Sequence, residues 1–325
     1  MLLRFLQKDN PLLIPLLFII NVLLWLNEII HPIYVAGVYE NYPMPLYQLV
    51  LLIPVKASWW IASILSLIVL IQGFLLNNLS SKFRLIDQGT YLPGILFVVF
   101  VSSFHQLHQL NPLVFANIFL LFSLHVVFPT YRIEKTIDPF FISMFLISVG
   151  SLFYFPLIFF AIALFYFMLN TRSFYWREWV VAILGLITPY VFAFSAFFMY
   201  GKTLVLLQII QHQLVDNASS IVLDFRYLAF FIFLSLIMIT GSVYLYRNVL
   251  KKVVTRKYYS LLFFLWLQTF TMYVLFPSIY LESIFIFSIP FAFYISNNLI
   301  STKSRLAENV ILYGSLLLIV FLNNI

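Results

Sequence analysis

Long apolar runs recur along this chain, broken by short polar or aromatic links. A membrane-spanning helix needs about 17–25 mainly apolar residues. Runs of roughly that kind lie near 11–30, 57–77, 90–104, 112–128, 138–153, 155–170, 179–200, 227–246, 258–276, 279–297 and 308–325. Several are short, and the pair around Tyr154–Pro156 is nearly continuous. The pattern predicts an all-α polytopic transmembrane bundle of about eleven helices. Two links are too long to be mere turns. Residues 31–56 hold four prolines and four tyrosines before a short apolar stretch, which suits an interfacial or re-entrant segment. Residues 201–226 place Leu204, Leu207, Ile210 and Leu214 at helical spacing, which predicts an amphipathic helix lying on a membrane surface.

Composition agrees with that pattern. The chain is 63% hydrophobic and 9% charged, with mean hydropathy +1.04. Soluble domains average about 45–50% apolar and about 25% charged residues. The expectation is one polytopic membrane domain over 1–325. The first run lacks a small-residue cleavage site and reads as a helix rather than a signal peptide. With no cysteine, disulfides, thiol catalysis and Cys-ligated zinc are excluded.

The net charge of +7 changes meaning once it is mapped. With the N-terminus inside, Lys56, Lys202 and Arg226 fall outside, and the other fifteen of the eighteen Lys and Arg fall inside. That bias predicts a cytoplasmic N-terminus and a C-terminus on the outer side of the membrane. Nucleic acid is therefore not an expected partner; the bilayer is. In "NTRSFYWREWVVAILGLITPY" (170–190), Arg172 and Arg177 read as cytoplasmic anchors among interfacial aromatics. Glu178 suits the start of the next helix beside them. The basic run "YRNVLKKVVTRKYY" (246–259) reads likewise, with contact to anionic lipid.

Ionisable groups in or beside a bilayer are costly, so they are the first places to look for chemistry. Most of them other than the basic anchors fall on the outer side. Glu28 and His31 are three apart and share a helix face, either as a base with its imidazole or as a glutamate reaching interfacial water. Glu40, in "VYENYP", is either a general base or an ordinary loop charge. His105 and His108, in "FHQLHQLNP", form an i, i+3 pair that ligates metal only if further ligands converge; no metal and no cofactor is expected. His125 reads as hydrogen-bonded to a neighbouring helix. Lys202 and Arg226 flank the amphipathic segment and are candidates to receive a lipid phosphate. Asp216 adds a further outer polar group. Phosphate loops, dinucleotide fingerprints, HExxH and nucleophile elbows are all missing from the sequence. So is an acid buried mid-helix of the kind a proton-coupled transporter uses.

The central stretch, with "SLFYFP" (151–156) and "WREW…LG.ITPY" (176–190), resembles a group of uncharacterised polytopic inner-membrane proteins from Bacteroidota-type bacteria. That resemblance brings no catalytic residues. The order of helix, long outer loop with an acid, then helix hairpins also looks like GT-C-type glycosyltransferases. This likeness implies a polyprenyl-phosphate-linked sugar as donor substrate at the periplasmic face, in envelope biogenesis. By position Glu40 would then be the catalytic carboxylate, with Glu28 in reserve. The chain departs from that pattern in lacking a soluble acceptor-binding domain. The alternatives are a non-catalytic scaffold or assembly subunit of an envelope complex, with a protein partner, and a lipid or polymer transporter.

Overall fold

Proline marks where several helices begin, since its fixed φ suits a first turn whose amide has no partner to lose. Pro45, Pro93 and Pro112 each stand in the first turn of a helix, and Pro156 opens a 3₁₀ turn. The computed structural model describes residues 13–32, 42–52, 59–87, 89–103, 105–131, 137–171, 175–215, 225–275 and 283–301. Among these residues it is all-helical, with no strand. In order the helices are α1 (Leu13–Ile30), α2 (Pro45–Leu51), α3 (Trp59–Phe83), α4 (Leu92–Ser102), α5 (Pro112–Val127), α6 (Ile137–Ser151), α7 (Ala161–Thr171), α8 (Trp176–Met199), α9 (Thr203–Val215), α10 (Phe225–Asn248), α11 (Val253–Leu275) and α12 (Ser283–Ser301). Short 3₁₀ turns cover His105–His108, Phe128–Tyr131 and Phe155–Phe160. Ten of the expected runs fall on helices; the run 308–325 lies outside the described residues. Among the described residues five helical segments are long and apolar enough to cross a membrane: Leu13–Ile30, Trp59–Phe83, Pro112–Tyr131, Trp176–Met199 and Ser283–Ser301.

The bundle is built around α12. Every residue from Ser283 to Leu299 is buried, because α4, α10, α11 and, more lightly, α5 pack around it. On one flank α1 and α5 hold α3, and α3 in turn holds α4. On the other, α5 packs on α6 and α6 on α8. The outermost helix, α8, turns most of its surface outward, with Phe192 70% exposed.

Buried amides cross-link the helices, as polar side chains do where apolar faces alone give little specificity. Asn21 on α1 donates to the Ser66 carbonyl on α3 (3.1 Å). Gln72 on α3 donates to the Val114 carbonyl on α5 (2.6 Å) and accepts from Asn117 (3.1 Å). Close helix approach also depends on glycine. At Gly185 on α8 a Cβ would lie 2.5 Å from the Phe141 carbonyl oxygen of α6, so only a hydrogen fits there.

The two long links each supply a helix, α2 and α9, and these meet. Tyr42 stacks on His212 of α9, ring centroids 3.9 Å apart. Gln213 donates to the Tyr42 carbonyl (3.1 Å), and Met44, Leu152 and Ile209 form a small shared core. The face of α9 that meets protein is Leu206, Ile209 and Gln213, while Leu204 and Leu207 of the expected surface stripe are exposed. The helix therefore has apolar residues on two faces, one against the protein and one turned outward.

Candidate functional site

Three residues per turn of overlap place Trp25 and Glu28 on one face of α1, and both are buried. That face meets the end of α4 and the 3₁₀ turn after it. Glu28 Oε1 and His108 Nδ1 form an ion pair at 2.9 Å, with side chains only 11% and 5% exposed. The other ring nitrogen, Nε2, lies 2.9 Å from the Ser102 carbonyl oxygen. Trp25 donates its indole N–H to Ser102 Oγ (2.9 Å) and lies over the imidazole, centroids 4.2 Å apart. Oxygens thus face both nitrogens of His108.

The turn that presents His108 is fixed from both ends. Asn111 caps α5, its side chain accepting from the Leu113 amide (2.9 Å), and Tyr47 of α2 donates to the Leu110 carbonyl (3.2 Å). Beside it lies an apolar cleft of about 110 Å³, whose walls include Val50, Trp60, Ile64, Leu110 and Phe115. The group is a carboxylate–imidazole pair held rigidly in a dry setting, next to a small slot for hydrocarbon. Such a pair can hold a proton between two helices or brace them.

The sequence expectations sort as follows. Glu28 is paired with His108 rather than with His31. The helix ends at Ile30, and His31 continues only as far as a bond from its amide to the Asn27 carbonyl (2.8 Å), leaving its side chain exposed. His105 lies in the same 3₁₀ turn as His108 by backbone position. His108 is turned to a carboxylate, and no group of three or more His, Cys, Asp or Glu converges among the described residues. His125 bonds to the Leu121 carbonyl of its own helix (3.0 Å), not to a neighbouring helix as expected. Lys202 is exposed just before α9, and Arg226 stands in the first turn of α10. Glu40 and Asp216 lie outside the described residues. Sequence reasoning missed Trp25 and Ser102. The spacing of Trp25 from Glu28 was available as a signal, but nothing local tied either residue to α4.

No protein-family model, curated protein or solved structure matches this chain.

Proposed function

We propose that this is a multi-pass inner-membrane protein, N-terminus cytoplasmic, that handles a polyprenyl-phosphate-linked sugar at its periplasmic face as a GT-C-like glycosyltransferase. In that reading the Glu40 carboxylate takes the proton of an acceptor hydroxyl as its oxygen bonds to the sugar's anomeric carbon. The sugar–phosphate bond breaks, and polyprenyl phosphate leaves with its charge held by Lys202 or Arg226. One observation carries the proposal: the two outer segments are a single unit. Tyr42, two residues after Glu40 in the chain, stacks on His212 of the helix that begins beside Lys202. Segments given the roles of base and phosphate holder are thereby tied to each other, as a transfer site requires.

A second reading has its own support. The reserve acid, Glu28, is engaged with His108 and mostly buried, as a brace would be. That favours a non-catalytic scaffold or assembly subunit of an envelope complex.

Native mass spectrometry of gently isolated protein, with Glu40→Gln beside it, separates the two. The transferase reading expects a co-purifying polyprenyl phosphate or its sugar-linked form. It also expects Glu40→Gln to reach normal abundance with transfer reduced about 10²-fold or more, the usual scale for loss of a general base. Normal function in Glu40→Gln, with a stoichiometric protein partner and no such lipid, replaces it with the scaffold.

A further inference from the structure

A second, roomier cleft lies far in sequence from the outer site. α10 packs on α12, and α11 packs on both α12 and α7. The space left between α7, α10 and α11 is an open cleft of about 580 Å³. Its polar lining is Arg247, Ser242, Ser260 and the tyrosines Tyr166 and Tyr246; its apolar lining includes Phe263 and Phe264. Val243 and Leu267, 46% and 42% exposed, form its outward lip. One wall is stiff: Tyr166 stacks on Phe264, centroids 4.5 Å apart and planes within 8°.

The hydrogen bonds define what this cleft offers. Ser242 donates to the Ile239 carbonyl, Ser260 to that of Lys257, and Tyr246 to that of Arg256. Their protons are committed to backbone. The Ser260 oxygen already accepts from Asn170 (2.7 Å), and Tyr246 also meets the Tyr294 hydroxyl. Toward a ligand these hydroxyls therefore present their remaining lone pairs, Ser242 most freely. Arg247 differs: among the described residues its guanidinium makes no hydrogen bond or ion pair. Much of the neighbouring basic run is already engaged. Lys252 pairs with Asp87 (2.8 Å), Lys257 lies over the Tyr131 ring, and Arg256 donates to the Leu250 carbonyl.

We infer that this cleft binds a phosphate-bearing lipid. Arg247 holds the phosphate as a bidentate donor, and the Ser242, Ser260 and Tyr246 oxygens accept from headgroup hydroxyls. The hydrocarbon chain runs out over Val243, Phe263 and Leu267. A headgroup with its own O–H donors fits this set, which points to a phosphoglycerol lipid over a choline one. The inference rests on membrane embedding alone and stands whether or not the protein transfers a sugar.

The test is lipid retention by the full-length protein in native mass spectrometry. The probes are phosphatidylglycerol, phosphatidylcholine and a polyprenyl phosphate, each added at matched concentration. Phosphatidylglycerol is expected to be kept over phosphatidylcholine. Arg247→Gln is expected to weaken its retention about tenfold, the effect of losing one charged hydrogen-bonding partner. Val243→Trp, which fills the cleft and keeps the charge, is expected to do the same. Lys251→Gln, removing a nearby charge outside the cleft, should leave retention intact. Preferential retention of the polyprenyl phosphate, lost in Arg247→Gln, keeps the site and assigns the phosphate to that lipid instead. Equal retention of phosphatidylcholine, or unchanged retention in both cleft variants, overturns the inference.

Discussion

Glu28 and His108 meet in a place with little room for water. Removing either one leaves the other's buried polar atom without that partner, which costs about 1–3 kcal/mol. Glu28→Ala and His108→Ala are each expected to destabilise the folded protein on that scale. The double variant should cost less than the sum by about 1 kcal/mol, because it removes both partners together. Reversible unfolding in mixed micelles measures the cycle, and strictly additive costs would deny the coupling. Glu28 was legible from sequence as a candidate, either paired with an imidazole or reaching interfacial water; its burial and its partner were not. The nearest imidazole along the chain is His31, but α1 stops at Ile30 and the expected i, i+3 contact stops with it. The true partner arrives from the turn after α4, and no local spacing announces a contact made by tertiary packing.

Helices were far easier to foresee than their faces. The apolar runs became helices, and the break at Tyr154–Pro156 became a turn followed by the 3₁₀ segment Phe155–Phe160. The stripe Leu204, Leu207, Ile210 and Leu214 of α9 was legible, but not the second face, Leu206, Ile209 and Gln213, that meets protein. In a membrane setting an outward apolar stripe has no penalty, so periodicity loses its usual meaning. Packing then rests on shape. α8 is held chiefly by α6, and the Gly185–Phe141 approach leaves no room for a Cβ. Gly185→Val must push the two helices apart, and overpacking of this kind costs about 1–3 kcal/mol. The expected result is a lower melting temperature in detergent. Phe192→Ala, on the exposed face of the same helix, should change it little; equal effects would mean that α8 is held elsewhere.

At the scale of the molecule, hydropathy reports burial from water and does not distinguish lipid from protein. The apolar segment of α12 is buried from Ser283 to Leu299, while α8, of comparable apolar character, is mostly exposed; both qualify as spans by composition. Charge carries the information that hydropathy lacks. Lysine and arginine resist translocation, so their sidedness fixes orientation. In the proposed orientation Arg247 and its cleft lie at the cytoplasmic surface and the joined α2–α9 unit at the periplasmic one. Because the chain has no cysteine, single cysteines can test this without background. With the outer membrane made permeable, Lys202→Cys should react with a membrane-impermeant maleimide, and Lys251→Cys should react only after the inner membrane is broken. Both positions are exposed in the fold, so protein burial cannot mimic protection by the bilayer. The reverse pattern would invert the proposed orientation and move the proposed transfer site to the cytoplasm, where Glu40 would meet soluble nucleotide sugars instead of lipid-linked ones. Labelling of both from one side would remove the bilayer between them, and with it the physical basis of the lipid cleft.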